Sequence, residues 1–106
     1  MKLIEIIEAL RTNTIQDLLN ENSVAIKYDL IDIYAKYSLG IESDYYFFNA
    51  KKRPRTNIFE ENGIKYENLC SLSKLKDLVC SYANLNAKRT SEILVFDVLD
   101  YLENEK

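Results

Sequence analysis

The one proline of this 106-residue chain, Pro54, closes a stretch unlike the rest of it. Four consecutive aromatics at residues 45–48 are followed within seven residues by Lys51, Lys52, Arg53 and Arg55. The proline ring disfavours helix at Arg53, so the chain has to be assembled from a part before this point and a part after it. Two readings compete within the stretch. Either Ser43 or Asp44 caps a short helix that ends before Pro54, or residues 45–49 form a strand, since aromatics suit a half-buried pleated surface. Five residues are too few for periodicity to decide.

Upstream, the apolar spacing is helical. Leu3, Ile6, Ile7 and Leu10 recur at i, i+3, i+4 and i+7 with Glu5 and Glu8 turned away, which predicts an amphipathic first helix. Thr14 offers an N-cap hydroxyl and Asp17 an acid for the positive end of a second helix, whose apolar side is Ile15, Leu18 and Leu19. A third helix, the longest of this half, is predicted over residues 24–38. Val24, Tyr28, Ile31 and Ala35 lie on one stripe, widened by Leu30, Ile33, Tyr34 and Tyr37, with Asp29 and Asp32 on the outward side. Gly40 stands where a left-handed C-cap favours glycine.

Downstream, Asn62-Gly63 sits between two short alternating runs, a strong hairpin signal because a type I′ turn needs positive φ at both central residues. That register sets Phe59 opposite Tyr66 and Glu60 opposite Lys65; the competing reading is one helical turn with Gly63 as its C-cap. Leu72, Leu75, Leu78, Val79 and Tyr82 predict a helix over about residues 72–83. A last helix, about residues 90–104, is apolar at Ile93, Leu94, Val95, Phe96, Val98, Leu99, Tyr101 and Leu102. So wide an arc predicts either the centre of the core or a contact surface on its surplus face, including contact with a second copy of the chain. The expected fold is mainly α: a single domain, residues 1–106, of about five helices with a small β-hairpin near residues 57–67.

Chemistry is constrained by what is missing. There is no histidine, the usual acid–base residue at neutral pH, and the two glycines stand apart, so no Gly-rich phosphate loop is available. The cysteines, Cys70 and Cys80, match no metal spacing and are too few for a disulfide framework. Cys80 falls within an apolar helical pattern and reads as a small core residue; Cys70, ahead of that helix, is the one with a route to solvent. No run approaches the roughly 20 apolar residues of a transmembrane helix. These features point to a non-enzymatic, reduced, cytoplasmic protein without cofactor, metal or membrane partner.

The formal charge of −3 is unevenly placed. Residues 51–55 carry four bases and no acid, whereas the segments on either side are both net negative. A helix-turn-helix reading of residues 78–93 would start its second helix at Lys88 and Arg89, but Glu92, Asp97, Asp100 and Glu103 then run along a helix meant to lie against a polyanion. The nucleic-acid alternative therefore rests on Lys51, Lys52, Arg53, Arg55, Lys88 and Arg89. Phosphate binding draws much of its affinity from such clusters, and the neighbouring aromatics could stack single-stranded bases.

The acidic body favours protein binding instead. Asp29, Asp32, Asp97, Asp100 and Glu103 would steer a basic protein, and Tyr28 and Tyr101 beside them offer contact area with a polar tip. In size, acidic charge, tyrosine content and lack of catalytic equipment the chain resembles the small immunity proteins that bacteria pair with secreted nuclease toxins, including those of contact-dependent inhibition. The resemblance implies an inhibitor that occludes the substrate-binding surface of a basic partner such as a nuclease toxin.

Overall fold

The computed structural model describes residues 1–52, 58–85 and 90–105. The chain begins with α1 (Leu3–Arg11) and α2 (Ile15–Glu21), then makes a 3-10 turn at Tyr28–Leu30. Four strands follow, β1 (Ile31–Lys36), β2 (Tyr45–Asn49), β3 (Ile58–Glu61) and β4 (Ile64–Ser71), with a second 3-10 turn, Ala50–Lys52, after β2. Two helices, α3 (Leu72–Leu85) and α4 (Ser91–Glu105), complete it. The strands form one antiparallel sheet in the order β2-β1-β4-β3. The expectation of a mainly α bundle of about five helices is overturned: among the described residues the fold is α+β, with four α-helices and a four-stranded sheet.

The error lies in residues 24–38. From Ile31 the chain also alternates, and Ile31, Ile33 and Ala35 turn to the core while Asp32, Tyr34 and Lys36 turn the other way. The β-branched pair Ile31 and Ile33, with Tyr34 between Ile33 and Ala35, suits a strand better than a helix. What settles the matter is non-local. β1 is a central strand, hydrogen-bonded to β2 on one side and β4 on the other, so its backbone groups are paired along both edges by partners far along the chain. Gly40 is not a helix cap; it lies in the turn between β1 and β2, beside Tyr37, whose φ is +72°.

The other helices and the hairpin follow their patterns, although the Thr14 hydroxyl makes no cap hydrogen bond to α2 and meets the Thr12 hydroxyl instead. Residues 45–49 take the strand reading. The β3–β4 hairpin has Phe59 opposite Tyr66 and Glu60 opposite Lys65, with φ +54° at Asn62 and +79° at Gly63. It is not an isolated hairpin, however, because β4 runs on to Ser71 and pairs with β1. A register shift between Ile33 and Tyr34 leaves Leu69 as an extra residue in β4, so Leu69 and Cys70 are both buried where strict alternation would expose one.

α1 starts with the Glu5 carboxylate accepting the Lys2 N–H at 2.6 Å and ends with the Thr12 hydroxyl donating to the Glu8 carbonyl at 2.9 Å. Its apolar stripe meets α3 and α4, and together with the inward side chains of β1, β2 and β4 they form one core around Leu3, Ile6, Ile33, Tyr45, Leu75, Val79, Leu94 and Val98. The opposite face of the sheet has a cluster of its own. Tyr34 is as deeply buried as the main core, at 2 % exposed, but packs edge-on against Phe48 at 5.4 Å and Phe59 at 4.9 Å. Phe48 and Phe59 belong to the two outer strands and still meet at 5.5 Å, so the rings close over the central strands and bring Tyr66 in with them. The four-aromatic run is thus divided: Tyr45 and Phe47 to the main core, Phe48 to this cluster, Tyr46 to its rim.

The cysteine expectations are reversed. Cys70 is buried on β4 and Cys80 is exposed on α3, because the inward side of α3 is carried by Leu72, Leu75 and Val79.

Candidate functional site

α4 packs on α1 and α3 through Leu94, Val95, Val98, Leu99 and Leu102, all buried. These five need only one side of the helix, so the remainder of the wide apolar arc is left outside. Ile93 is 47 %, Phe96 60 % and Tyr101 43 % exposed. At helical spacing Ile93, Asp97, Asp100 and Asn104 run in one line, with Phe96 on one side of it and Tyr101 on the other. Glu92 and Glu103 lie beyond Phe96. The helix carries no lysine or arginine along its length. Asp100 accepts from Asn104 Nδ2 at 3.5 Å, and Asp97 is half-buried. Beside Tyr101 a shallow groove of about 340 Å³ opens towards α3, lined by Tyr82, Asp100, Tyr101 and Asn104.

The start of α4 is tied to α1. The Ser91 hydroxyl, 7 % exposed, donates to the Glu8 carboxylate and accepts from Arg11 Nη1 at 3.0 Å. Thr90 precedes the helix with its carbonyl accepting from the Leu94 N–H and its hydroxyl from the Ile93 N–H. The outward face of α4 is therefore held in orientation at its amino end by polar contacts and along its length by the core.

Of the seven residues expected to bind a partner, four are brought together: Asp97, Asp100, Tyr101 and Glu103 share α4. The other three belong to other elements, since residues 28–36 are a turn and a strand and not a helix. Tyr28 and Asp29 belong to the first 3-10 turn, and Asp32 to β1, on the sheet face turned away from the main core. Asp29 and Asp32 do not share an outward helical side. The Tyr28 ring is half-buried, with Lys76 Nζ at 5.9 Å from its centre and its hydroxyl without a hydrogen-bond partner among the described residues. Burial first, then the charges of Asp77, Cys80 and Asp29, push its pKa up. Burial likewise raises the Asp32 carboxyl above the usual carboxylate range.

Ile93 and Phe96 belong to the same surface, and the excess width of the last apolar arc was the signal for them. For the nucleic-acid alternative, Lys51 is exposed in the second 3-10 turn, which also includes Lys52. Arg53, Arg55, Lys88 and Arg89 lie outside the described residues. A helix-turn-helix would pack Leu85 and Ile93 inward, whereas Leu85 is 76 % exposed and Ile93 is on the outer face of α4.

Among the described residues no group of three or more His, Cys, Asp or Glu side chains is placed to hold a metal ion. No helix among them is long and apolar enough to cross a membrane. Comparison with protein-family models, curated proteins and solved structures gives no match for this chain.

Proposed function

We propose that the protein is a non-enzymatic, cytoplasmic binding protein of the immunity type, which neutralises a basic partner such as a nuclease toxin by covering its substrate-binding surface. The observation that carries this reading is the outward face of α4, where Ile93, Phe96 and Tyr101 are interleaved with carboxylates and no base. Large exposed apolar side chains supply the desolvated centre that binding energy needs. The acids around them set the sign of the partner and speed its approach. A surface complementary to phosphate-binding residues is also the one that occludes them.

The test is an inhibition assay with a secreted nuclease domain, beginning with any that an adjoining reading frame encodes. Stoichiometric loss of phosphodiester cleavage is the result the reading requires. Full cleavage in the presence of excess protein, together with steeply salt-dependent binding of duplex DNA or structured RNA, would favour the nucleic-acid alternative instead.

A further inference from the structure

The outer sides of α1 and α2 form a groove that the α4 face does not include. Its floor is Ile4, Ala9 and Leu18, and Thr12 and Thr14 close one end at the turn between the helices. Glu5 and Glu8 line it from α1, Asp17 and Glu21 from α2. The spacing explains why they converge: residues 4, 8 and 12 make one stripe of α1, and residues 14, 17, 18 and 21 make one stripe of α2. The volume is about 530 Å³. Eight residues of α1 give it a length of roughly 12 Å, enough for two turns of a helix laid into it.

The charge is one-sided. Among the described residues no lysine or arginine lines the groove; Lys2 pairs with Asp44 at 3.4 Å, and Arg11 reaches the rim only through Ser91, whose hydroxyl it shares with Glu8. Glu5 and Glu8 each accept a hydrogen bond within the fold, from the Lys2 N–H and the Ser91 hydroxyl, but these leave both negative. Asp17 and Glu21, at i and i+4 on a helix of seven residues, are like charges on neighbouring positions and repel one another. An apolar floor between two carboxylate rims is complementary to one kind of occupant.

We infer that this groove receives a basic amphipathic helix of a partner protein, its apolar side on Ile4, Ala9 and Leu18 and its Lys or Arg side chains between the four carboxylates. The inference rests on the reading of the protein as a binder of basic proteins and gives it a second contact surface. The Ser91–Glu8 hydrogen bond places the groove rim against the amino end of α4.

The probe is a synthetic amphipathic helix of about four turns, Leu on one face and Lys on the other, with a shuffled peptide of the same composition as its control. Affinity is read by fluorescence anisotropy and the site by backbone amide shifts. Shifts confined to residues 4–21, binding about tenfold weaker for the shuffled peptide, and a loss of about tenfold in Asp17→Asn/Glu21→Gln are expected. Both substitutions are at exposed positions, and circular dichroism confirms that the variant is folded. Equal binding of the two peptides, or unchanged affinity in the variant, would overturn the inference. Charge reversal on α4, Asp100→Lys/Glu103→Lys, is expected to leave this peptide's affinity unchanged while slowing association with the nuclease at least about tenfold. Failure of the groove and failure of the functional reading are thereby separated.

Discussion

Tyr45 and Gly40 close the turn between β1 and β2 on each other. The Tyr45 hydroxyl donates to the Gly40 carbonyl at 2.8 Å and accepts the Gly40 N–H at 3.2 Å. The ring that carries this hydroxyl is fully buried, on the inward face of β2 opposite Ala35. One side chain thus fills the core and satisfies the backbone of the loop above it.

Tyr45→Phe should cost about 1–3 kcal/mol, since it removes both hydrogen bonds and leaves Gly40 backbone groups to find others. Its pH signature is more diagnostic. Burial pushes the Tyr45 pKa from 10.0 up to about 12. The folded state therefore holds the phenolic proton more tightly than the unfolded one. The corresponding stability is fully present below about pH 10 and is lost as the pH rises towards 12. Denaturant unfolding across the alkaline range should show this loss in the native protein and a much shallower one in Tyr45→Phe. Tyr28, whose pKa is raised in the same direction, contributes to the slope that remains.

Asp32 is shifted in the same direction, but neutral pH lies above its titration range instead of below it. Its carboxyl is raised by burial, so ionisation is less favourable in the folded state than in the unfolded one. Lowering the pH through the carboxylate range relieves that penalty. Asp32→Asn removes it at every pH and should raise the thermal midpoint at pH 7, by an amount that shrinks as the solution is acidified. A lower midpoint at pH 7 would show that the charge is used within the fold.

Gly63→Ala tests the hairpin. A Cβ at this position meets nothing within 4 Å, so any cost is conformational: φ is +79°, where an L side chain is strained. A loss of about 1–2 kcal/mol is expected from denaturant midpoints, without change of fold.

Legibility in the sequence followed how local the deciding forces are. α1 is stated by Leu3, Ile6, Ile7 and Leu10, and the hairpin by Asn62-Gly63, because a stripe or a turn needs only its own residues. β1 was hidden for the opposite reason. Ile31, Ile33 and Ala35 satisfy a two-residue period, but Tyr28, Ile31 and Ala35 also satisfy a helical one. The choice is made by β2 and β4, the latter some 35 residues downstream by its register. That one substitution of strand for helix also separated Asp29 from Asp32, which a helix would have set on one side. Asp97, Asp100, Tyr101 and Glu103 stayed together because a single well-marked helix carries them all.

The tie between α1 and α4 is testable through Ser91. Ser91→Ala removes the hydroxyl shared by Glu8 and Arg11, but both partners are exposed and regain water, so a loss of about 1 kcal/mol is expected. A double-mutant cycle with Glu8→Gln should return a coupling of the same sign, and additivity would mean that the contact holds nothing together.

The claim that the outer face of α4 docks a basic partner is tested most directly by association kinetics. The rate constant for binding the nuclease domain is measured against ionic strength for the native protein and for Asp100→Lys/Glu103→Lys. An association rate at least about tenfold slower is expected in the variant at low salt, with a much flatter salt dependence. Identical rates and identical salt slopes for the two proteins would contradict it.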